Sequence, residues 1–204
     1  MTGTPNPQLP LHGIRVIEQG AFITGPYASM LLADMGAEVI KVERPGTGDA
    51  FRSYDGTQYA PTFLAFNRNK RSITIDNRAE ADRETLDELI RTADVYLHNF
   101  RPGVAERLAV GHERLLDINP RLIYCAISGL GSSGPYAGRP SYDTVAQAYS
   151  GFLSLTLDRS EPRISGPAVA DAVTGLYAAQ GILAALVRRG IDGRGHVVEV
   201  SMLE

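Results

Sequence analysis

The sequence predicts an α/β fold, a mainly parallel sheet with helices on both faces. Short runs rich in β-branched residues alternate with stretches whose apolar residues recur at helical spacing. The alternation continues along the 204-residue chain, which places a crossover between successive strands and makes their pairing parallel. No internal repeat or low-complexity tract interrupts it. Ligands of such sheets sit outside the carboxyl ends of the strands.

The elements follow in order. Ile14 to Glu18 reads as the first strand, and a helix from about Pro26 to Met35 is stopped by Gly36. Glu38 to Glu43, with Val39, Ile40 and Val42, is the second strand. The polar, glycine-bearing loop from Arg44 to Tyr59 belongs on the surface. Ser72 to Ile75 is a short strand, and the segment Asp76 to Thr92 carries a helix with Leu86, Leu89 and Ile90 on one face. Asp94 to His98 is a strand. Short helices follow at Val104 to Leu108, opened by Pro102-Gly103, and at Glu113 to Ile118, stopped by Asn119-Pro120. Leu122 to Ser128 is the most apolar strand. Tyr142 to Leu155 and Ala172 to Arg189 read as helices, Gly193 to Gly195 as a turn, and His196 to Met202 as a last strand.

Composition narrows the function classes. Hydrophobic residues make up 44% and charged residues 21%, with a formal net charge of -3. That balance is ordinary for a globular domain and offers no basic excess for nucleic acid. The single cysteine, Cys125, rules out an intrachain disulfide, fits a reducing cytoplasm, and lies in an apolar run that reads as core. Residues 1–10 are polar, read as a flexible N-terminus, and carry no export pattern. No apolar run approaches the ~20 residues of a membrane span. The longest candidate, Gly175 to Val187, is interrupted by Gln180 and Gly181. The chain stops at Glu204 directly after a strand, which suggests a fold cut short or completed by another segment.

Three candidate chemistries can be weighed. Gly129-Leu130-Gly131-Ser132-Ser133-Gly134 matches G-x-G-x-x-G after a strand, but Pro135, Gly138 and Pro140 delay the next helix to about Tyr142. A dinucleotide site needs a helix opening inside the motif, so this reads as a glycine-rich loop. His12, His98, His112 and His196 are scattered without metal-ligand spacing and read as surface or strand-end residues. Asp171, ahead of the long apolar helix, reads first as its N-cap. A carboxylate there would also be held ionised beside exposed amides that can stabilise developing negative charge.

Several motifs together carry a resemblance. They are Leu11 to Glu18 continuing to Gly25-Pro26-Tyr27-Ala28, Leu32 to Gly46 with Gly48-Asp49, and Asn69 to Asp76. Then come Ala93-Asp94-Val95 through Asn99-Phe100-Arg101-Pro102-Gly103, Asn119 to Tyr124 with Ser128-Gly129 and Gly134-Pro135-Tyr136, and finally Ala170-Asp171, Thr174-Gly175 and Gly193-Arg194-Gly195. In this order they resemble the N-terminal part of the family III CoA transferases, a family that includes formyl-CoA transferase, carnitine CoA-transferases and α-methylacyl-CoA racemase.

The resemblance implies a Rossmann-like sheet that forms an incomplete large domain of an interlocked homodimer. The small domain and the C-terminal return segment of that fold are absent from this sequence. It implies acyl-CoA and a small carboxylic acid as substrates, with no metal and no permanently bound cofactor. Asp171 would be the nucleophile, passing through an aspartyl anhydride and an aspartyl-CoA thioester. Arg44 would meet the adenine part of CoA, and Arg107 its phosphates. The stretch Ile75 to Arg78 and Asn99-Phe100-Arg101 would line the CoA groove, and Tyr142 and Asp143 would form the active-site pair. Ile23 stands where formyl-CoA transferase has a glutamine, which departs from formate specificity. The racemase branch has a His-Asp pair where Tyr142-Asp143 stands, and a tyrosine of reference pKa ~10 is a poor proton-abstracting base. Transfer therefore ranks above racemisation, and a CoA-binding fragment inactive without its missing half is the third reading.

Overall fold

A computed structural model describes residues 7–57, 59–158, 160–161 and 166–203. Most of the polar N-terminal stretch (1–6) and Glu204 lie outside the described residues. Among those described, six strands form one parallel sheet: β1 Arg15–Gln19, β2 Glu38–Glu43, β3 Lys70–Thr74, β4 Val95–His98, β5 Ile123–Ser128 and β6 His196–Ser201. Their order is β3-β2-β1-β4-β5-β6, so the chain runs outward from β1 in one direction and then from β4 in the other. The reversal between β1 and β4 opens a crevice at their carboxyl ends, the place where α/β sheets bind ligands.

Helices cover both faces, as the alternation requires. On one face α1 (Thr24–Asp34) and α8 (Val169–Asp192) bury Leu32, Ala178 and Ile182 against Val16, Val95, Ile123 and Cys125. On the other, α3 (Glu80–Arg91), α4 (Val104–Arg107) and α5 (His112–Ile118) close over Ile17, Tyr96 and Tyr124 with Leu86, Ile90 and Leu115. Cys125 is fully buried and its thiol is pushed up to about 12 by burial, so it is a core residue. Lacking a side chain at Gly175, α8 can press on α1: a Cβ there would sit 2.9 Å from the Thr24 carbonyl oxygen and 3.0 Å from the Tyr27 ring. Gly175→Ala is expected to cost about 1–3 kcal/mol by overpacking. A melting temperature unchanged by that substitution would show that the two helices can part freely.

Several boundaries differ from the sequence reading, each for a physical reason. The stretch Tyr142 to Leu155 is two helices, α6 (Asp143–Tyr149) and α7 (Leu153–Thr156), broken at Gly151, whose φ is +79°. Helix α2 (Pro61–Asn67) and a 3₁₀ turn at Ala50–Ser53 occupy ground read as loop or left unread. The last helix is also longer than expected. It begins at Val169, so Asp171 lies in its first turn and Ala168 holds the N-cap position, with no side chain to cap it. Its 24 residues are long and apolar enough, by length and composition, to cross a membrane, against the expectation that no such run exists. In this fold it packs one face into the core.

Candidate active site

The crevice is a groove of about 850 Å³, built from the loops that leave the strands. Gly20–Thr24 follows β1, Arg44–Ala50 follows β2, Ile75–Arg78 follows β3, Asn99–Pro102 follows β4, and Gly129 follows Ser128 at the end of β5. Arg139, Ser141, Tyr142 and Met202 complete the lining, together with Asp171 from α8. Guanidinium-bearing Arg44, Arg78, Arg101 and Arg139 all line this groove. Four cations around one cleft suit a polyanionic ligand.

Asp171 is half-buried, and among the described residues no hydrogen bond or ion pair engages its carboxylate oxygens. Burial, then the neighbouring Asp143 anion, pushes its carboxyl up to about 6. A carboxylate with free lone pairs and raised basicity, set in a cleft, is equipped to act as a nucleophile. Its backbone N–H donates to Asp143 Oδ1 at 3.1 Å. Tyr142, one residue before, is 59% exposed and sets its ring edge-on to Phe22, 5.7 Å between centroids.

The β1 turn is shaped by long-range polar contacts. Asn99 Oδ1 accepts from the Ala21 N–H at 3.0 Å, and Asn99 Nδ2 donates to the Ala21 carbonyl at 2.7 Å and to Thr24 Oγ1 at 2.9 Å. Phe22 is thereby held at φ +64°, unusual for a bulky residue, with its N–H donating to Asp49 Oδ1 at 3.2 Å. Beneath the turn lies a buried quartet of charges. Lys41 Nζ is 2.7 Å from Glu18 and 2.9 Å from Asp49, and Lys70 Nζ is 2.8 Å from Glu18. Burial opposes ionisation of Glu18, but the two ammonium groups outweigh it and hold its carboxyl below the usual range. Lys41 also donates to the Gly20 carbonyl and Lys70 to the Pro26 carbonyl, each at 2.8 Å, so the quartet fixes both ends of the turn. On the other flank, burial takes His98 down to about 4. The neutral ring accepts from the Phe100 N–H at Nδ1, 3.1 Å away, and stacks on the Phe100 side chain. It is a strand-end residue as read, but buried rather than on the surface.

Of the residues singled out from sequence, Ile23, Arg44, Ile75, Arg78, Asn99, Phe100, Arg101, Tyr142 and Asp171 are brought together in this groove. Two are placed elsewhere. Arg107 lies on α4 outside the lining, to which that helix contributes Val104 and its C-cap residue Leu108 adds a second contact. Asp143 also does not line it; its carboxylate takes the Asp171 N–H and a hydrogen bond from Gln147 Nε2. Phe22, Asp49 and Arg139 line the groove without having been picked out for it, whereas Asp76 and Asn77 line it inside the expected Ile75 to Arg78 stretch. Only Asp49 had a usable signal, an acid directly after Gly48 in a recognised motif. The Gly129–Gly134 segment opens no helix, in keeping with its reading as a loop.

Comparisons with known proteins agree with this geometry. A family model described as CoA-transferase family III matches residues 11–204. Succinate–glutarate CoA-transferase of Agrobacterium fabrum is 41% identical over 214 residues, covering 100% of this chain and 54% of the relative. Acetyl-CoA:oxalate CoA-transferase of Acetobacter aceti is 40% identical, covering 100% and 53%. Human succinyl-CoA:glutarate CoA-transferase is 37% identical, covering 99% and 48%. The chain thus spans about half the length of the curated relatives it matches. Among solved structures, a CAIB/BAIF family protein from Brucella suis superposes with a TM-score of 0.89 at 40% identity, covering 95% of this chain and 53% of that one. A hypothetical protein from Mycobacterium tuberculosis gives 0.90 at 39%, covering 97% and 56%.

Proposed function

The chain belongs to CoA-transferase family III, and from that premise we propose that it carries the nucleophile and most of the CoA-binding groove of an enzyme that moves CoA from an acyl-CoA to a carboxylic acid. The observation that carries the reading is the Asp171 carboxylate, unengaged among the described residues, in an arginine-lined groove. CoA, with its phosphates, lies along Arg44, Arg78 and Arg101 and presents its thioester toward Asp171.

An Asp171 oxygen attacks the thioester carbonyl, the C–S bond breaks, and the thiolate leaves with the electron pair, giving a mixed anhydride. The thiolate then attacks the aspartyl carbonyl and expels the donor acid as its carboxylate, leaving an aspartyl-CoA thioester. The acceptor carboxylate attacks that thioester and regenerates thiolate and anhydride. Thiolate attack on the acceptor's carbonyl releases the new acyl-CoA and restores Asp171. Each step exchanges one activated acyl bond for another, so none is steeply uphill. Dicarboxylic acids are the first acceptors to try, because the relatives above are named for glutarate and oxalate.

The working unit we propose is a dimer of longer chains. The outward side of α8 leaves Leu176, Tyr177, Val187 and Ile191 uncovered, an apolar stripe of the kind that marks a protein contact. Trapping tests the chemistry. The protein incubated with succinyl-CoA and hydroxylamine is expected to gain a hydroxamate at Asp171, read by peptide mass spectrometry. No adduct with CoA binding intact would replace this reading with that of a CoA-binding fragment, and α-proton exchange with deuterated water in the absence of an acceptor acid would replace it with the racemase one.

A further inference from the structure

Helix α8 needs a cap that its own sequence does not provide. Its N-cap residue is Ala168, and the N–H of the third helical residue, the one an N-cap side chain ordinarily satisfies, belongs to Asp171. That N–H is taken from another helix: Asp143 Oδ1, 28 positions earlier, accepts it at 3.1 Å. The other oxygen of Asp143 accepts from Gln147 Nε2 one turn along α6, and Gln147 is itself buried. Asp143 therefore faces α8 and not the groove, while Asp171 projects into the groove with its carboxylate unengaged among the described residues.

We propose that Asp143 is a positioning residue, capping α8 in trans so that the Asp171 carboxylate stays turned to the substrate. An open N–H at the positive end of a 24-residue helix attracts the nearest anion. Without Asp143 that anion is Asp171 itself, and a carboxylate bonded to its own helix end has lost the free lone pairs that attack requires. The proximity of the Asp143 charge also adds to the basicity of Asp171, after burial. The inference rests on the proposed role of Asp171 and adds a second carboxylate that touches no substrate.

The test uses the natively expressed protein, with every chain that copurifies, and compares wild type with Asp143→Ala, Asp143→Asn and Gln147→Leu. The readout is the rate of hydroxylamine-trapped Asp171 adduct from succinyl-CoA, beside CoA affinity by calorimetry. Asp143→Ala is expected to acylate about 100-fold more slowly, the order of loss for a nucleophile displaced by about an ångström, with CoA affinity unchanged. Asp143→Asn keeps an oxygen for the Asp171 N–H and is expected to recover about tenfold of that loss. Gln147→Leu frees Asp143 to swing and should fall between the two, which keeps the test alive if the alanine variant does not fold. Asp143→Ala acylating within about threefold of wild type would overturn the proposal, as would an asparagine variant as slow as the alanine one. Gln147→Leu at the wild-type rate would overturn it in the same way. Wild-type protein that forms no adduct at Asp171 would instead overturn the function reading, and this inference with it.

Discussion

Asp171→Asn is expected to abolish adduct formation and, at the same time, to raise the melting temperature near pH 7.5. The first effect is the larger. An amide oxygen has no anionic pair for the thioester, so the covalent route closes, and turnover should fall by at least about a thousandfold. The second follows from linkage. Asp171 titrates at about 6 in the fold because of burial and then Asp143, against the ordinary carboxyl value near 4 in the unfolded chain. Ionised Asp171 therefore costs stability in the folded state. The cost is absent below about pH 4, grows between pH 4 and 6, and is full above that, on the order of 2 kcal/mol after allowance for solvent. Asparagine removes it, so the variant should melt several degrees higher at pH 7.5 and level with wild type near pH 4. Equal melting at both pH values would mean that the carboxylate is not strained in the fold. Wild-type acylation should also fall as pH drops through about 6, because only the ionised form attacks.

How much of this could be read from sequence depended on how local each cause was. The strands were legible because β-branched runs such as Val39–Val42 report their own burial, and the position of the groove followed from the parallel topology. Helix α2 was not, since of its seven residues only Phe63 and Asn67 are buried, too few to set a period. The start of α8 was misplaced for an instructive reason. With Gly166, Pro167 and Ala168 ahead of it, Asp171 is the first residue able to cap, so local rules made it the N-cap. The cap comes instead from Asp143, a contact no window of sequence contains. The same limit applies to the β1 turn, whose shape is dictated by Asn99 from 78 positions away.

Glu18→Gln should damage the molecule more than its distance from Asp171 suggests. Glu18, Lys41, Lys70 and Asp49 form a buried set of two anions and two cations. Neutralising Glu18 leaves two ammonium groups facing a single carboxylate without water. Removing one partner of a buried pair costs about 3–5 kcal/mol, a large share of the ~5–15 kcal/mol that keeps a domain folded. The melting temperature should drop on the order of 10 °C. Affinity for CoA should fall with it, because Lys41 holds the Gly20 carbonyl and Asp49 holds the Phe22 N–H at the groove wall. A double substitution separates charge balance from packing. Glu18→Gln with Lys70→Met leaves Lys41 and Asp49 as a neutral pair 2.9 Å apart, so it should recover part of the stability lost by Glu18→Gln alone. If the two losses instead add, the four charges act independently and the groove wall does not rest on their balance. A positive coupling energy would show that the floor of the groove is stabilised as one electrostatic unit, which a protein accepts at the cost of desolvating four ions only where backbone placement depends on it.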